Sequence, residues 1–440
     1  MQPTYDFIAI GLGPFNLSLA CLTESINDLN GLFLEQRSEF NWHPGLMIDG
    51  VHLQTPFMSD LVTLADPTNP YSYLNYAKQT GNLYQFYIRE DFFLLRKEYN
   101  QYCQWASKSL SNVQFERQVV QVDFNESESL YCIFAKDSAG NTHQYFAKHL
   151  VLGTGPVPNY TAAVDKNADD IIHSGQYLAN KEALTQAKKL VIVGSGQSAA
   201  EIYYDLLTDI RSHNYELTWV TRAPRFFPLE YSKLTLEMTS PNYVDYYYDL
   251  PQAKKDALIA NQKHLYKGIN SSLINEIYDL LYQLKLDGDV PTRLLTNSEL
   301  KSQSGHNLAF QQTEAEHSFT LEFDKLVMAT GFSYQDPAFL SGIECQINRD
   351  NTGRFAVARD YSIDKQQRIF VQNAELHTHG FVTPDLGMAC YRNSQIINQI
   401  LGYAHYQVET HTTFQEFLAP EATPCSEGEH VYCVFRLKPV

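Results

Sequence analysis

The stretch that decides the fold is YDFIAIGLGPFN, residues 5–16, in which an apolar run passes directly into a glycine-rich turn. Residues 5–10 predict a buried strand, and the apolar run LSLACLTESI at 17–26 predicts a helix after the turn. A second strand, GLFLEQ at 31–36, contains Glu35. This order of strand, turn, helix and strand within about thirty residues is typical of a dinucleotide-binding Rossmann unit.

The size and charge of the chain narrow the class of protein. A length of 440 residues predicts two or three domains. The formal charge of -17 argues against nucleic acid as a partner, because phosphate binding needs a basic face. The N-terminus lacks a basic leader, and glycine, proline and asparagine interrupt the apolar run at 7–22, so we expect no secretion and no membrane partner. Seven scattered cysteines without a C-x-x-C pair favour the reducing cytoplasm.

The same pattern recurs far downstream. The strand KKLVIVG at 188–194 runs into a second glycine turn and an apolar helix, and the strand ELTWVTR follows at 216–222. Two further strands, in HLVLGTGPVP at 149–158 and DKLVMATGFSY at 324–334, each run into a glycine turn. Two such units predict two nucleotide sites, with the chain crossing between them at these turns.

The first turn carries the features of a flavin or nicotinamide nucleotide site. Gly11 permits the tight turn, and Gly13 lets the backbone approach a pyrophosphate at the helix N-terminus. Asn16 replaces the usual third glycine. Glu35 ends the next strand, where an acid binds ribose hydroxyls. An acid suits an adenosine without a 2'-phosphate, which indicates FAD or NAD.

The second turn favours a different nucleotide. Its fingerprint consists of Gly194, Ser195, Gly196 and, in place of the third glycine, Ala199. The strand that follows ends at Thr221 and Arg222, in the position that the acid has in the first unit. A guanidinium there matches a 2'-phosphate and selects NADPH over NADH.

An FAD unit with an inserted NADPH unit predicts a flavoprotein that takes hydride from NADPH. Disulfide reductases share this plan but need a redox pair of cysteines, which the sequence lacks, so we expect O2 as the electron acceptor. The predicted fold class is α/β, with two Rossmann-like domains and a small helical substrate-binding insertion. Residues 1–165 and 325–440 form the predicted FAD domain, 166–324 the NADPH domain, and 226–290 the helical segment within it.

Longer motifs carry a specific resemblance. The stretches DFIAIGLGPFNLSLA, FNWHPGLMIDGVHLQTPFMSDLVTLADPTNPYSYLNY and LVMATGFSY resemble the microbial N-hydroxylating flavin monooxygenases of siderophore biosynthesis, over nearly the whole chain. This family includes lysine N6-, ornithine N5- and diamine N-hydroxylases. The resemblance implies a homotetramer and FAD contacts at Gly11, Gly13, Pro14, Phe15, Asn16, Glu35, Trp42, His43, Gln54, Val119, Pro384, Asp385 and Leu386. It implies NADPH contacts at Gly194, Ser195, Gly196, Gln197, Ser198, Thr221 and Arg222.

The resemblance also implies a mechanism in which reduced flavin and O2 form a C4a-hydroperoxide that an uncharged primary amine attacks. Holding an alkylammonium of pKa about 10.4 neutral near pH 7.4 costs about 4 kcal/mol, and a desolvated site contributes to that shift. No catalytic side chain or metal is required, and we assign His377 and His379 of HTHG to a loop near the flavin. The signature of carbonyl-oxidising Baeyer–Villiger enzymes is absent from the sequence.

Departures from the family pattern predict the substrate. Amino-acid hydroxylases of the family carry a lysine for the substrate carboxylate in an FLKDL-type segment, whereas this chain reads FMSDL, with Ser59. A buried carboxylate without its cation costs roughly 3–5 kcal/mol. Three polar positions of the ornithine enzymes are also replaced here, by Leu236, Leu265 and Gly387. We therefore expect putrescine or cadaverine as the substrate.

Asp385 and Glu237 are the candidate partners of the distal ammonium, and we assign Tyr71 and Tyr73 to core packing rather than to cation–π binding. Two alternatives remain open. One is an L-lysine N6- or L-ornithine N5-hydroxylase that uses other residues for the carboxylate. The other is an NADPH oxidase that produces peroxide without an amine substrate.

Overall fold

The computed structural model describes residues 3–419, and the first part of the chain builds most of one sheet. Up to residue 158 the strands are β1 (Thr4–Ile10), β2 (Gly31–Leu34), β3 (His52–Pro56), β4 (Phe93–Leu95), β5 (Val113–Gln114), β6 (Gln118–Asn125), β7 (Leu130–Lys136), β8 (Thr142–Leu152) and β9 (Val157–Pro158). The helices are α1 (Pro14–Thr23), α2 (Tyr73–Gln79), α3 (Leu83–Arg89) and α4 (Arg96–Ser109).

The middle of the chain forms a second layered unit. Its strands are β10 (Ile171–His173), β11 (Lys189–Val193), β12 (Glu216–Val220), β13 (Thr292–Leu295), β14 (Ser298–Ser304), β15 (Asn307–Gln312), β16 (His317–Glu322) and β17 (Lys325–Met328). Its helices are α5 (Tyr177–Thr185), α6 (Gln197–His213), α7 (Lys233–Leu236), α8 (Pro241–Asp249), α9 (Gln252–Asn261) and α10 (Ser271–Leu286). The predicted helical segment 226–290 contains α7 to α10.

The last part returns to the first sheet through β18 (Phe332–Ser333), β19 (Ile369–Val371), α11 (Leu376–His379) and α12 (Ala389–Leu401). The first sheet has the order β5-β2-β1-β8-β7-β6, with β19 beside β8. Strands β5, β2, β1, β8 and β19 run parallel, and β7 and β6 continue the sheet in antiparallel pairing. The predicted β-turn-α-β start is confirmed, with the glycine turn at the carboxyl end of β1.

The second sheet is fully parallel, in the order β10-β17-β11-β12-β13, and β14, β15 and β16 form a separate antiparallel sheet. Because β17 pairs with both β10 and β11, the second unit extends past residue 325. We therefore propose that the chain returns to the first unit after Met328. The outgoing and returning segments pair with each other through β9 and β18.

Burial explains why β1 is apolar at successive positions. Phe7 and Ala9 face a core that α1, α4 and α12 cover, while Ile8 and Ile10 face the opposite core of the same sheet. A parallel strand covered on both faces has no polar side to present. Within residues 3–419, no helix combines the length and apolar character needed to span a bilayer.

Candidate active site

The glycine turn after β1 leaves space for a phosphate group. Gly11 has φ +88°, and a Cβ atom there would lie 2.6 Å from the carbonyl oxygen of Gly153, so only glycine fits. A Cβ atom at Gly13 would meet nothing within 4 Å. Helix α1 begins at Pro14, and no side chain caps its N-terminal N–H groups. Open space beside free N–H groups fits the FAD pyrophosphate.

The departure at Asn16 has a structural explanation. The Asn16 amide donates to the carbonyl of Gly11 at 2.7 Å, and its oxygen accepts from the Gln372 amide at 2.6 Å. The neighbouring Phe15 carbonyl accepts from Asn393 at 3.0 Å. The Asn16 side chain thus ties the turn to the late segment that contains Gln372, which a glycine could not do.

Glu35 lies directly beneath the turn. Its carboxylate accepts from the N–H groups of Leu12 at 2.7 Å and Arg37 at 2.8 Å, and its side chain is buried. The predicted acid is therefore next to the nucleotide loop. Val119 lies in the apolar core on the Ile8 face of the sheet, so its side chain packs among core residues.

Trp42 and His43 form an aromatic cluster between the two units. The His43 ring lies 4.8 Å from Trp42 and 5.6 Å from Phe332, which is in the returning segment. His43 adopts φ +48°, a left-handed conformation that turns the chain there. Burial lowers the pKa of His43 to about 4, so its imidazole is neutral near pH 7.

The second glycine turn is equally tight. A Cβ atom at Gly194 would lie 2.2 Å from the Ala329 carbonyl oxygen, so β11 and the end of β17 meet there. Helix α6 follows with Gly196 at its N-cap and no side-chain cap, which leaves its first N–H groups for a phosphate. Ser195 and Ser198 are half-buried at the same turn.

Basic side chains gather beyond β12. Arg222 is exposed after the strand, and the Thr221 hydroxyl accepts from the N–H of Ala223 at 3.0 Å. Lys267 was not predicted from the sequence. Burial, followed by the positive charges of Lys263 and Arg222, lowers the pKa of the Lys267 ammonium. The backbone carbonyl oxygen of Lys267 would lie 3.5 Å from a Cβ atom at Gly196. The backbone of a second basic residue therefore lies beside the predicted NADPH loop, and the Lys267 ammonium lies 5.2 Å from the centre of the Tyr266 ring.

Gln54 is linked to the second unit. Its amide donates to the Asn270 side-chain oxygen at 3.0 Å and to the Gly268 carbonyl at 3.2 Å. The Asn270 N–H donates to the side-chain oxygen of Gln197 at 2.8 Å. A predicted flavin residue and a predicted NADPH residue are thus joined through Asn270, which sequence analysis missed.

Ser59, Asp385 and Gly387 meet at one place. A Cβ atom at Gly387 would lie 3.1 Å from both the Ser59 hydroxyl oxygen and the Asp385 Oδ1 atom. The same Asp385 oxygen accepts from the Gly387 N–H at 2.7 Å. Asp60, next to Ser59, accepts from the N–H groups of Val62, Thr63 and Tyr73 and so holds the turn that presents Ser59.

The charged side chain of Arg392 lies near Asp385. Burial raises the pKa of Asp385, although the Gly387 N–H and the charge of Arg392 act in the opposite direction. Arg392 is paired with Glu375 at 2.8 Å, both side chains are almost fully buried, and it also donates to the Thr383 carbonyl at 2.6 Å. Glu375 thus supplies a negative charge next to Arg392 within the protein.

The other predicted substrate residues lie in different surroundings. Leu265 packs in an apolar cluster with Phe381 and Met388, next to Gly387. Leu236 is 37% exposed on α7. Glu237 accepts from the N–H groups of Phe414 and Gln415, each at 2.9 Å, and within residues 3–419 no hydrogen bond joins it to Ser59 or Asp385.

The remaining predicted residues pack as follows. Pro384 is exposed and Leu386 is half-buried against the first core. Tyr71 and Tyr73 are buried in that core, as predicted. The ring nitrogens of His377 and His379 contact the carbonyls of Phe355 at 2.8 Å and Arg359 at 3.3 Å.

The fold and the two glycine turns define a flavoprotein with separate FAD and nicotinamide nucleotide units. The sequence profile described as L-lysine 6-monooxygenase/L-ornithine 5-monooxygenase matches residues 3–334. The chain is 52% identical over 427 residues to the putrescine N-hydroxylase of Shewanella oneidensis, covering 96% of this chain and 85% of that protein. The chain therefore belongs to this family of N-hydroxylating flavin monooxygenases, which use FAD and NADPH.

Solved structures agree with this assignment. The cadaverine monooxygenase DfoA of the desferrioxamine pathway of Erwinia amylovora, solved with FAD, is 54% identical, with a TM-score of 0.94 and coverage of 96% of this chain and 100% of that chain. The ornithine N-hydroxylase of Kutzneria sp. 744, solved with reduced FAD, NADP+ and L-ornithine, is 26% identical, with a TM-score of 0.84 and coverage of 91% and 99%.

Proposed function

We propose that the protein hydroxylates one terminal amine of an aliphatic diamine, putrescine or cadaverine, as a step of hydroxamate siderophore biosynthesis. The observation that carries this proposal is the meeting of Ser59, Asp385 and Gly387. The resemblance places Ser59 at the position of the family's carboxylate-binding lysine, and the Asp385 carboxylate lies beside the Ser59 hydroxyl. Such a surface receives an ammonium and rejects a carboxylate.

The similar proteins that act on diamines support the same substrate class. One relative, at 52% identity, is a putrescine N-hydroxylase, and one solved structure, at 54% identity, is a cadaverine monooxygenase. The solved ornithine N-hydroxylase is only 26% identical. The diamine proposal therefore agrees with the more similar proteins.

We propose that Asp385 binds the distal ammonium of the substrate, at the end that is not hydroxylated. Asp385 is half-buried as a residue, and burial raises the pKa of its carboxylate. A buried carboxylate that lacks a cation is costly, and a bound ammonium removes that cost. Ser59 adds a neutral acceptor on the same side, and Tyr231 lies close enough for the Asp385 charge to contribute to the raised pKa of its phenol. Glu237 is the weaker candidate because the C-terminal segment uses both of its oxygens.

The nucleotide sites are proposed on the same residues that the sequence indicates. FAD would lie along Gly11 to Asn16, with Glu35 at the ribose and Trp42, His43 and Gln54 nearer the ring. NADPH would lie at Gly194 to Ser198, with Arg222 and the additional Lys267 at its phosphates. Bound FAD, reduced by NADPH, supplies the activated oxygen, and the chain supplies a neutral, desolvated place for the amine.

Product stoichiometry tests this function against the oxidase alternative. NADPH consumption, hydroxylamine and H2O2 are measured with putrescine, with cadaverine and without an amine. We expect one of the diamines to yield nearly one hydroxylamine per NADPH. Peroxide as the sole product with every diamine would contradict the proposal and identify an NADPH oxidase.

A further inference from the structure

A buried ion pair joins the two nucleotide units. Arg96, the first residue of α4, donates to the Glu201 carboxylate of α6 through two nitrogens, at 2.7 Å and 3.0 Å. The two side chains are 12% and 1% exposed. Arg96 is also anchored within the first unit, because its guanidinium donates to the Leu46 carbonyl at 2.7 Å. A two-pronged contact of this kind defines direction as well as distance.

The ion pair is one side of a larger ring. The amide of Gln197 donates to Glu201 at 2.9 Å, and the oxygen of Gln197 accepts from the N–H of Asn270. Asn270 in turn accepts from Gln54, which returns the connection to the first unit. Gln54 lies on β3 and Arg96 directly follows β4, and these two strands pair with each other. One two-stranded sheet of the first unit therefore holds the second unit at two points.

Other polar contacts between the units involve α8 and α9 rather than α6: Arg359 pairs with Asp245 at 2.6 Å, and Gln252 donates to the His377 carbonyl at 3.0 Å. The chain crosses between them through segments that pair only over the two-residue strands β9 and β18. Leu46 and Ile48 pack into the apolar core of the second unit, but apolar contacts permit sliding and rotation. Domains joined in this way move relative to each other unless specific contacts oppose it.

We propose that Glu201 is a positioning residue, which through Arg96 fixes the NADPH-binding helix α6 against the flavin unit. Its carboxylate contacts Arg96 and, one turn towards the N-terminus, Gln197 of the NADPH turn. It thereby couples the orientation of the bound nicotinamide nucleotide to the position of Gln54. The proposal rests on the use of FAD and NADPH by the family and does not depend on which amine is hydroxylated.

The chain offers a matched control on the same helix. Asp205 lies one turn after Glu201, and its carboxylate pairs with Lys181 at 2.8 Å and accepts from the Tyr177 hydroxyl, all within the second unit. Glu201→Gln and Asp205→Asn remove the same charge with little change of shape. Only the first breaks a contact between the units.

The variants are tested as FAD-loaded enzyme, anaerobically and without an amine, so that a wrong substrate assignment does not affect the result. Glu201→Gln is expected to lower the rate of flavin reduction at saturating NADPH at least tenfold, with less than a threefold change in the NADPH dissociation constant. Arg96→Met should lower the rate of flavin reduction by the same factor, and Arg96→Lys should retain part of the wild-type rate. In Asp205→Asn the flavin should be reduced at the wild-type rate.

A denaturant double-mutant cycle gives the readout that does not depend on activity. We expect Arg96→Met and Glu201→Gln to be non-additive in the free energy of unfolding, because either change alone breaks the same contact. Wild-type reduction by Glu201→Gln, an equal loss in Asp205→Asn, or additive effects in the cycle would each overturn the proposal.

Discussion

The hydroxyl oxygen of Ser59 and the Oδ1 atom of Asp385 converge on a single point, 3.1 Å from each, where a side chain at residue 387 would begin. These two residues are far apart in the sequence, yet they place a neutral acceptor and an acid side by side. The glycine at 387 keeps the space between them free. We propose the substrate class from this contact, because a hydroxyl and a carboxylate accept an ammonium and offer no cation to a carboxylate.

Ser59→Lys should reverse that preference. A lysine at this position would pair with Asp385 and repel the second ammonium of a diamine. We expect kcat/KM for putrescine and cadaverine to fall at least a hundredfold, on the scale of breaking a buried charge contact at roughly 3–5 kcal/mol. Ser59→Ala is the control and should lose less than tenfold. Steady-state hydroxylamine formation measures both variants, and unchanged diamine turnover in Ser59→Lys would contradict the assigned role.

Asp385→Asn tests the ammonium partner. We expect KM for the diamine to rise about ten- to a hundredfold, because a neutral amide replaces a buried charge partner. The Asp385 pKa is raised in the folded protein, so in the wild type KM should rise as the pH falls through that raised pKa. This rise should be absent from the variant. An unchanged pH profile of KM would exclude Asp385 as the partner.

The same substitution has a consequence for stability. A carboxyl group whose pKa is raised on folding contributes stability below its unfolded pKa and loses it as the pH rises through the folded value. As the pH rises from the unfolded pKa through the raised folded pKa, Asp385 therefore lowers the stability of the substrate-free protein. Asp385→Asn should unfold at the same or a higher denaturant concentration than the wild type. A clear loss of stability would show that Asp385 has a structural role.

The two glycines of the first turn should behave differently. Gly11→Ala places a Cβ atom 2.6 Å from a backbone carbonyl at positive φ, which costs at least about 2 kcal/mol of folding free energy. Gly13→Ala meets nothing within 4 Å, so the apo protein should keep its stability within about 0.5 kcal/mol while losing FAD. Denaturant unfolding and flavin content measure the two effects. Normal FAD content in Gly13→Ala would contradict the assigned pyrophosphate position.

Arg222→Gln should change nucleotide preference. Loss of the guanidinium should raise KM for NADPH about ten- to a hundredfold and leave kcat/KM for NADH unchanged, because only NADPH carries the 2'-phosphate. Arg225→Gln is the matched control, since Arg225 is another exposed arginine of the same loop and stacks on Phe227 at 4.7 Å. An equal loss with NADH, or with the control variant, would exclude a specific phosphate contact.

The parts of the fold that sequence analysis predicted are those formed by neighbouring residues. The strand before Gly11, the helix after it and the acid at Glu35 lie within one short segment, so apolar periodicity and the glycine turn suffice. The helix ends at Thr23, three residues before the predicted end, because apolar residues continue past the last helical turn into the core. We propose a boundary after Met328 rather than at residue 325, because the strand pairing of β17 with β10 and β11 depends on residues distant in the sequence.

The parts that were missed depend on residues distant in the sequence. Gln54 and Asn270 are hydrogen-bonded although they are 216 positions apart in the sequence, and Arg96 and Glu201 are 105 positions apart. No local sequence pattern predicts either pair. Glu237 appeared free for a substrate, but the segment that uses its oxygens lies 177 positions later. Ser59 could be interpreted only because the surrounding motif is long enough to align with the family.

The central claim is that the substrate carries no carboxylate, and the ratio of kcat/KM values for a substrate panel tests it most directly. Hydroxylamine formation is measured for putrescine, cadaverine, L-lysine and L-ornithine under identical conditions. We expect the better diamine to exceed both amino acids by at least a hundredfold. A kcat/KM for lysine or ornithine equal to or above that of both diamines would contradict the account.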